Sequence, residues 1–204
     1  MLIDHLIYAA PDLGTAVADI EKRFGVRAGG GGRHLGQGTH NTLLALGAGT
    51  YLEVVAPDPE QPEPAAPRPY GVDGVTRGGL VGWALTREDI DAALVTSRAR
   101  GFDPGDVIEG QRVTPTGSVL RWRLTSNALT AGPIPFLIRW GETPHPATSA
   151  PAGLALESLH IEHPDPESLR GPLHALGADV EVHRAPEVAL VVRLRGPRGS
   201  DELR

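Results

Sequence analysis

The sequence contains no cysteine, so it has no disulfide, no thiolate metal ligand and no cysteine nucleophile. It also lacks any apolar run near the roughly 20 residues that a membrane-spanning helix needs. No charged segment followed by an apolar one opens the chain, as it would in a signal peptide. From these absences we expect a cytoplasmic protein that has no membrane partner.

A basic surface is missing as well. The chain has 19 lysine and arginine residues against 25 aspartate and glutamate residues, and its formal net charge is −6. Binding to nucleic acid needs a basic face, so we expect no nucleic-acid partner and take a small molecule as the ligand. The glycine-rich segment 29–41 has neither a Gly-Lys-Ser/Thr ending nor the strand-to-helix context of a nucleotide-binding turn. No serine-nucleophile motif is found.

What the chain does contain is one pattern that occurs three times. A short apolar strand runs into an acidic helix cap, and a glycine closes the helix. The three cap residues lie about 77 and 76 residues apart, at Asp12, Asp89 and Asp165. Repeats at a fixed spacing indicate the architecture. This unit is too long for a solenoid repeat, so we interpret the copies as duplicated modules of one domain.

The repeats divide the 204 residues into four parts. Residues 1–57 form a first module of strand, helix and three strands, and residues 58–79 form a proline-rich linker that is expected to be extended and stiff. Residues 80–146 form a second such module. Residues 147–204 form a partial third strand–helix repeat that ends in a polar tail from residue 196.

Local patterns predict the elements inside the modules. The glycine-rich segment 29–41 is expected to be a flexible loop, or one that wraps something closely. Strands are predicted at residues 42–46 and 51–55, with a turn at residues 47–49. In the second module we predict a helix over 89–100 and strands near 107–112, 119–124 and 135–140.

Paired modules of this kind resemble the vicinal oxygen chelate superfamily of glyoxalases, bleomycin-resistance proteins and extradiol dioxygenases. The resemblance rests on residues 3–13 (IDHLIYAAPDL) and 49–57 (GTYLEVVAP). Segments 36–41 and 134–140 are similar to the glyoxalase-like branch. The resemblance implies an α+β fold in which paired βαβββ modules form a curled mixed sheet around a cleft. The third, partial module is appended at the C-terminus.

Metal ligands in that superfamily come from the first and fourth strands of each module. His5 and Glu53 match those places in the first module, and both residue types suit a divalent cation. In the second module the position equivalent to His5 is Gly82. The position equivalent to Glu53 is Ile138, or Arg139 if the alignment shifts by one residue. Neither glycine nor isoleucine can be a metal ligand. A catalytic zinc ion generally has three protein ligands, and only two are visible here. A third ligand could come from His40, His145 or His160, or from a partner chain.

The candidate residues also have plainer explanations. His5 and Glu53 can pair with each other across the sheet, or contact a substrate without metal. His40 and Asn41 are candidate substrate contacts, but they can also be surface residues of a loop. Because an inward arginine would recognise an anion, Arg121 is a candidate substrate contact, with a solvated outer face as the alternative.

Two tryptophans complete the candidate substrate site. Trp122 and Trp140 either pack in the core or line the pocket and stack on a planar substrate.

The resemblance implies a divalent-metal-dependent enzyme that acts on a small substrate with vicinal oxygens. His5 and Glu53 would hold Mg, Mn, Fe, Ni or Zn, and Glu53 or a nearby histidine would move the proton. Isomerase, lyase and dioxygenase chemistry all remain open. The alternative is a metal-free protein that binds and sequesters a small molecule, as bleomycin-resistance proteins do. A homodimer is also open, because the superfamily often dimerises.

Overall fold

The computed structural model describes residues 2–47, 49–114 and 116–204. The first module comprises β1 (Ile3–Ala9), α1 (Leu13–Phe24), β2 (Gly29–His34), β3 (Thr39–Ala45) and β4 (Tyr51–Pro57). The second comprises β5 (Gly79–Thr86), α2 (Ile90–Ala99), β6 (Val107–Val113), β7 (Val119–Thr125) and β8 (Phe136–Arg139). The third region comprises β9 (Ala155–His163), α3 (Glu167–Leu176), β10 (Glu181–Arg184), β11 (Ala189–Gly196) and β12 (Gly199–Leu203).

The first two modules curl into one mixed sheet that closes on itself. Its strand order is β1-β4-β3-β2-β6-β7-β8-β5, and β5 pairs with β1 to complete the ring. Within a module the order is first, fourth, third and second strand. The two modules meet at two antiparallel seams, β1–β5 and β2–β6. The expected α+β fold, with a curled mixed sheet around a cleft, is therefore confirmed.

The helices cover the outside of this ring. Asp12 caps α1 by accepting a hydrogen bond from the Thr15 amide at 2.7 Å, and Asp89 caps α2 by accepting one from the Ala92 amide at 2.9 Å. The main hydrophobic core lies between the ring, the helices and the second sheet, and includes Ile20. Among the described residues no helix is long and apolar enough to cross a membrane.

The third helix begins differently from the other two, so the predicted cap is wrong there. Pro166 is the residue at its N-terminus, and no side chain makes a capping hydrogen bond. Asp165 contributes its backbone carbonyl instead, which accepts from the Ser168 amide at 3.2 Å.

The start of the glycine-rich segment is a strand, β2, and not the flexible loop that its composition suggests. It forms part of a seam of the ring, where its neighbours come very close. A Cβ atom at Gly31 would lie 2.1 Å from the Asn41 carbonyl oxygen, and one at Gly32 would lie 2.0 Å from that of Val113. The glycines therefore allow β2 to fit between β3 and β6. Of the turn predicted at residues 47–49, Ala48 lies outside the described residues.

The third region forms a separate four-stranded sheet with the order β10-β9-β11-β12. Its first two strands are parallel neighbours, unlike those of the ring modules. The expected polar tail contains β12, which pairs with β11. The Leu80 amide donates to the Arg204 carbonyl at 2.9 Å, and Arg23 of α1 donates to Asp201 at 2.7 Å. This sheet therefore packs on the outside of the ring.

The proline content of the linker between the modules predicts an extended chain, but the linker is not extended over its whole length. It contains a short 3-10 segment, Pro69–Gly74. Arg68 fastens this segment by donating to Glu63, Asp73 and the Gly38 carbonyl. As a result Tyr70 packs against Phe136 of β8, with ring centroids 6.2 Å apart.

Candidate functional site

Polar side chains from both modules meet inside the ring. They alternate along their strands with residues of the outer face, as β geometry requires. Each is buried, with at most 7% of its surface exposed. Five of them come from five different strands: His5, His34, Asn41, Glu53 and Arg112.

Glu53 is at the centre of this polar group. Asn41 donates from Nδ2 to its Oε1 at 2.6 Å. Nε2 of His34 lies 3.8 Å from the same Oε1, and Nε2 of His5 lies 3.7 Å from the other oxygen, Oε2. Arg112 donates from Nη1 to Oδ1 of Asn41 at 2.9 Å. The Asn41 amide thus connects a carboxylate of the first module with a guanidinium of the second.

His5 is held in place by its neighbour in the sequence. Its Nδ1 lies 2.8 Å from Oδ1 of Asp4. Asp4 is the extra residue of a β-bulge, because Ile3 pairs with Leu85 while His5 pairs with the adjacent Ala84. An ionised carboxylate only accepts hydrogen bonds, so the His5 proton belongs on Nδ1. Nε2 then presents its lone pair to Glu53.

Asp4 is fully buried and collects three donors. Besides His5, it accepts from Nε1 of Trp140 at 3.1 and 3.2 Å, and Nε2 of His145 lies 3.3 Å away. Burial alone would raise the pKa of Asp4, but hydrogen bonds from His145 and His5 outweigh it and hold the pKa well below its usual range. Asp4 is therefore ionised at neutral pH.

Aromatic rings line the rest of the interior around His5. Tyr51 stacks on the imidazole at 4.7 Å between ring centroids, and Phe136 meets it edge-on at 5.5 Å. Burial raises the pKa of the Tyr51 and Tyr70 phenols well above the usual value. Both phenols therefore keep their protons at neutral pH.

Two indoles separate this interior from the surface. The space enclosed by the polar group is about 10 Å³, close to the volume that one water molecule requires. A surface groove of about 720 Å³ lies beside it. Trp122 and Trp140 line both spaces, with ring centroids 5.1 Å apart. The indole pair therefore lies where the groove and the interior meet.

The structure brings some of the sequence-predicted residues together. Arg121, Trp122 and Trp140 line the surface groove, with Arg121 exposed at its side. Asn41 is in the interior beside Glu53. His40, which precedes Asn41 in β3, lines another depression together with Arg33, Val113 and Asn41 itself.

The three histidines considered as a further metal ligand lie in different places. His145 contacts Asp4 on the Nδ1 side of His5, away from the Glu53 side. His160 is in the separate sheet, where its ring lies 4.5 Å from that of His183. His40 lines the depression that it shares with Arg33. Among the described residues Glu53 and Asp4 form four ion pairs, and none of the four joins one of these three histidines to the Glu53 carboxylate.

Two donor atoms of the interior belong to residue types that suit a divalent cation. Nε2 of His5 and Oε2 of Glu53 face each other, and Asp4 holds the far side of the imidazole, as second-shell carboxylates do for metal-bound histidines. Gly82 and Ile138 add no donor. Within the described residues no group of three or more His, Asp, Glu or Cys is placed to hold a metal. Two such donors fall short of the three protein ligands of a catalytic zinc site.

Sequence reasoning missed several residues of the interior. Asp4 was visible as a charge in an apolar strand, but only the bulge turns it toward His5. His34 was assigned to a loop. Arg112 carried no local signal, because its position inside the ring depends on how β6 meets β2.

A family comparison identifies the kind of domain. The sequence model of a family described as "Glyoxalase-like domain" matches residues 3–177. No curated protein matches the sequence.

Several solved structures are similar to this chain. A hypothetical protein from Staphylococcus aureus is 16% identical, with a TM-score of 0.62 over 98% of this chain and 84% of that one. A variant methylmalonyl-CoA epimerase from Streptomyces coelicolor, in complex with 2-nitronate-propionyl-CoA, is 20% identical and covers 72% of this chain and 99% of its own, with a TM-score of 0.46. The Mycobacterium tuberculosis methylmalonyl-CoA epimerase is 18% identical over 67% of this chain and 84% of its own, with a TM-score of 0.41.

Proposed function

Because the chain belongs to the glyoxalase-like domain family of the vicinal oxygen chelate superfamily, we propose that it is an enzyme that acts on a small molecule with vicinal oxygens. The observation that carries the proposal is the buried Glu53 carboxylate. One of its oxygens is fixed by Asn41, and the other faces His5 across 3.7 Å. A carboxylate in such a place is suited to move a proton on a bound substrate.

Each neighbour has a part in this chemistry. Asn41 orients the Glu53 carboxylate, and Asp4 orients the His5 ring so that Nε2 faces the same space. A divalent cation on His5 and Glu53 would polarise the substrate oxygens as a Lewis acid. Glu53 moves the proton on the carbon beside those oxygens, which is the step that isomerase and lyase reactions share.

The groove supplies the route to this centre. Its volume of about 720 Å³ is in the range of small-molecule sites, whereas the interior space of about 10 Å³ is not. We propose that the substrate binds in the groove and that its oxygen-bearing end passes the Trp122–Trp140 pair. Closure of the two indoles behind it then excludes bulk water from the reacting atoms.

Metal content tests the proposal directly. We expect about one equivalent of a divalent cation in the purified protein by elemental analysis, and its loss in both His5→Ala and Glu53→Ala, because a single remaining donor does not retain the ion. His174→Ala is the matched control, since His174 is exposed on α3, away from the ring interior. It should keep the metal.

A wild-type protein that stays free of metal after incubation with Mn²⁺, Fe²⁺, Ni²⁺ and Zn²⁺ contradicts metal dependence. The second candidate function, a metal-free protein that binds an aromatic molecule, would then be favoured. The observation behind this alternative is the tryptophan pair on the groove, together with the missing ligands at Gly82 and Ile138. Quenching of tryptophan fluorescence by aromatic ligands, without turnover, distinguishes it.

A further inference from the structure

Arg112 is a charged side chain inside the ring, with only 4% of its surface exposed. Its side chain makes one hydrogen bond to the part of the chain that the structure describes, from Nη1 to the neutral Oδ1 of Asn41. No Asp or Glu oxygen of the described residues lies within 4.0 Å of an Arg112 side-chain nitrogen, the distance that defines an ion pair. Buried charges in proteins are normally paired with an opposite charge, because desolvating an isolated ion is costly.

Other arginines of the chain show the contrast. Arg68 pairs with Glu63 and Asp73, and Arg123 pairs with Asp91 through two hydrogen bonds. These pairs lie at or near the surface, where pairing matters least. Arg112 is the only arginine among the buried polar residues of the described chain, and its one hydrogen-bond partner is the neutral Asn41 amide.

Arg112 lies next to the candidate site. It lines the same small space as His5, Glu53 and Trp122. Its stem passes Gly32, where a Cβ atom would lie 3.1 Å from its Cγ, so the glycine makes room for it at the seam. A guanidinium has five N–H donors arranged to bind a carboxylate through two parallel hydrogen bonds. Only one is used by Asn41.

Asn41 also sets the distance between Arg112 and the proposed base. It spans them with the two ends of one amide, Oδ1 on Arg112 and Nδ2 on Glu53. Arg112 and Glu53 therefore lie on the two sides of one amide, next to the same interior space.

We propose that Arg112 binds the carboxylate of the substrate, so that the substrates are small 2-oxo or 2-hydroxy acids. This inference rests on the proposed function, because such acids carry vicinal oxygens on the carboxylate and the adjacent carbon. Arg112 supplies the counter-charge, and Glu53 acts beside it.

Binding without turnover tests this assignment. Lactate and its neutral analogue lactamide are compared by thermal shift and calorimetry on protein treated with a chelator. We expect lactate to stabilise the wild type and lactamide to have little effect. Arg112→Met should weaken lactate binding by about tenfold or more, and Arg112→Lys by less, because an ammonium keeps the charge without the paired geometry. Arg195→Met, on the exposed face of the separate sheet, is the matched control and should bind as the wild type does.

Equal responses to lactate and lactamide, or unchanged lactate affinity in Arg112→Met, would overturn the inference. If Arg112→Met does not fold, the selectivity of the wild type and of Arg112→Lys decides it. The proposed metal chemistry can be contradicted independently of this inference. If the protein holds no metal and shows no turnover but still binds lactate in preference to lactamide, the Arg112 assignment is retained. Turnover of uncharged hydroxy-ketones in preference to acids leaves the enzyme standing and removes the assignment.

Discussion

At the scale of single residues, His34 shows how burial sets a charge state. Its Nδ1 lies 2.9 Å from the Thr39 hydroxyl, and Nε2 lies 3.8 Å from Glu53. Burial lowers the pKa of His34, and the positive charge of Arg112 adds to this, while Glu53 acts in the opposite direction. The neutral imidazole is therefore the form that the folded protein prefers.

A pH dependence follows for His34. In the unfolded chain the imidazole takes up its proton near pH 6.5, whereas in the folded protein it does so only at lower pH. Its contribution to stability is therefore complete above about pH 6.5 and is lost as the pH falls through the lowered folded-state value. Urea unfolding between about pH 7.5 and 5.5 should show a smaller loss of stability for His34→Gln than for the wild type.

His174→Gln is the matched control for that series, because His174 is exposed on α3. Its pH profile should follow the wild type. A His34→Gln profile that also follows the wild type would mean that His34 titrates normally in the folded protein.

At the scale of elements, the seam between β2 and β6 determines whether the two modules share one interior. The register between these strands is a single pair, Arg33 with Val113. Gly32 lies at this seam with φ +155° and no space for a side chain. The glycine run, which reads as a flexible loop by composition, thus serves a close approach of two backbones.

Two substitutions within that run separate backbone strain from steric contact. In Gly32→Ala the new Cβ would lie 2.0 Å from the Val113 carbonyl oxygen, whereas in Gly30→Ala nothing lies within 4 Å. Both glycines have positive φ, for which a Cβ costs about 1–2 kcal/mol. We expect Gly32→Ala to lower the free energy of unfolding by about 2 kcal/mol more than Gly30→Ala, in line with other overpacked sites. Equal losses in urea titrations would show that the seam opens freely.

At the scale of the whole molecule, the separate sheet and the ring share one hydrophobic core. Leu194 of β11 and Leu203 of β12 belong to the same buried cluster as Leu6 and Leu85 of the ring. The three tryptophans, Trp83, Trp122 and Trp140, all lie in the ring. Trp83 belongs to this shared cluster, whereas Trp122 and Trp140 line the groove of the ring. Tryptophan fluorescence therefore reports the ring and its side of the shared core, while far-ultraviolet circular dichroism reports both sheets.

One cooperative unfolding transition is expected for the whole chain. Leu194→Ala removes a fully buried side chain from the separate sheet and should lower the stability seen by tryptophan fluorescence by about 2–5 kcal/mol. Val188→Ala, at a half-exposed position of the same region, should have little effect. If the fluorescence midpoint stays unchanged in Leu194→Ala while the dichroism midpoint falls, the sheet unfolds independently.

Much of this architecture was predictable from local patterns. The repeated strand and capped helix predicted both ring modules, and the caps at Asp12 and Asp89 are confirmed. His5 and Glu53 were predicted as ligands of one cation, or as a pair across the sheet, and they lie near each other because β1 and β4 are parallel neighbours. Their chemical roles stay predictions. The expectation of a polar tail missed β12, because a single short strand with charged residues has no distinct local pattern.

The sequence by itself determined the modules, because hydrophobic period, caps and glycines act over a few residues. It also determined which residue types were available for chemistry. Only the tertiary structure decided that Asp4 turns toward His5, since this depends on the pairing of β1 with β5. Likewise, Arg112 reaches the Asn41–Glu53 pair only because two modules close into one ring. Arg112 and Asn41 are 71 positions apart, so their contact depends on packing across the seam. The residues around either one in the sequence do not indicate the other.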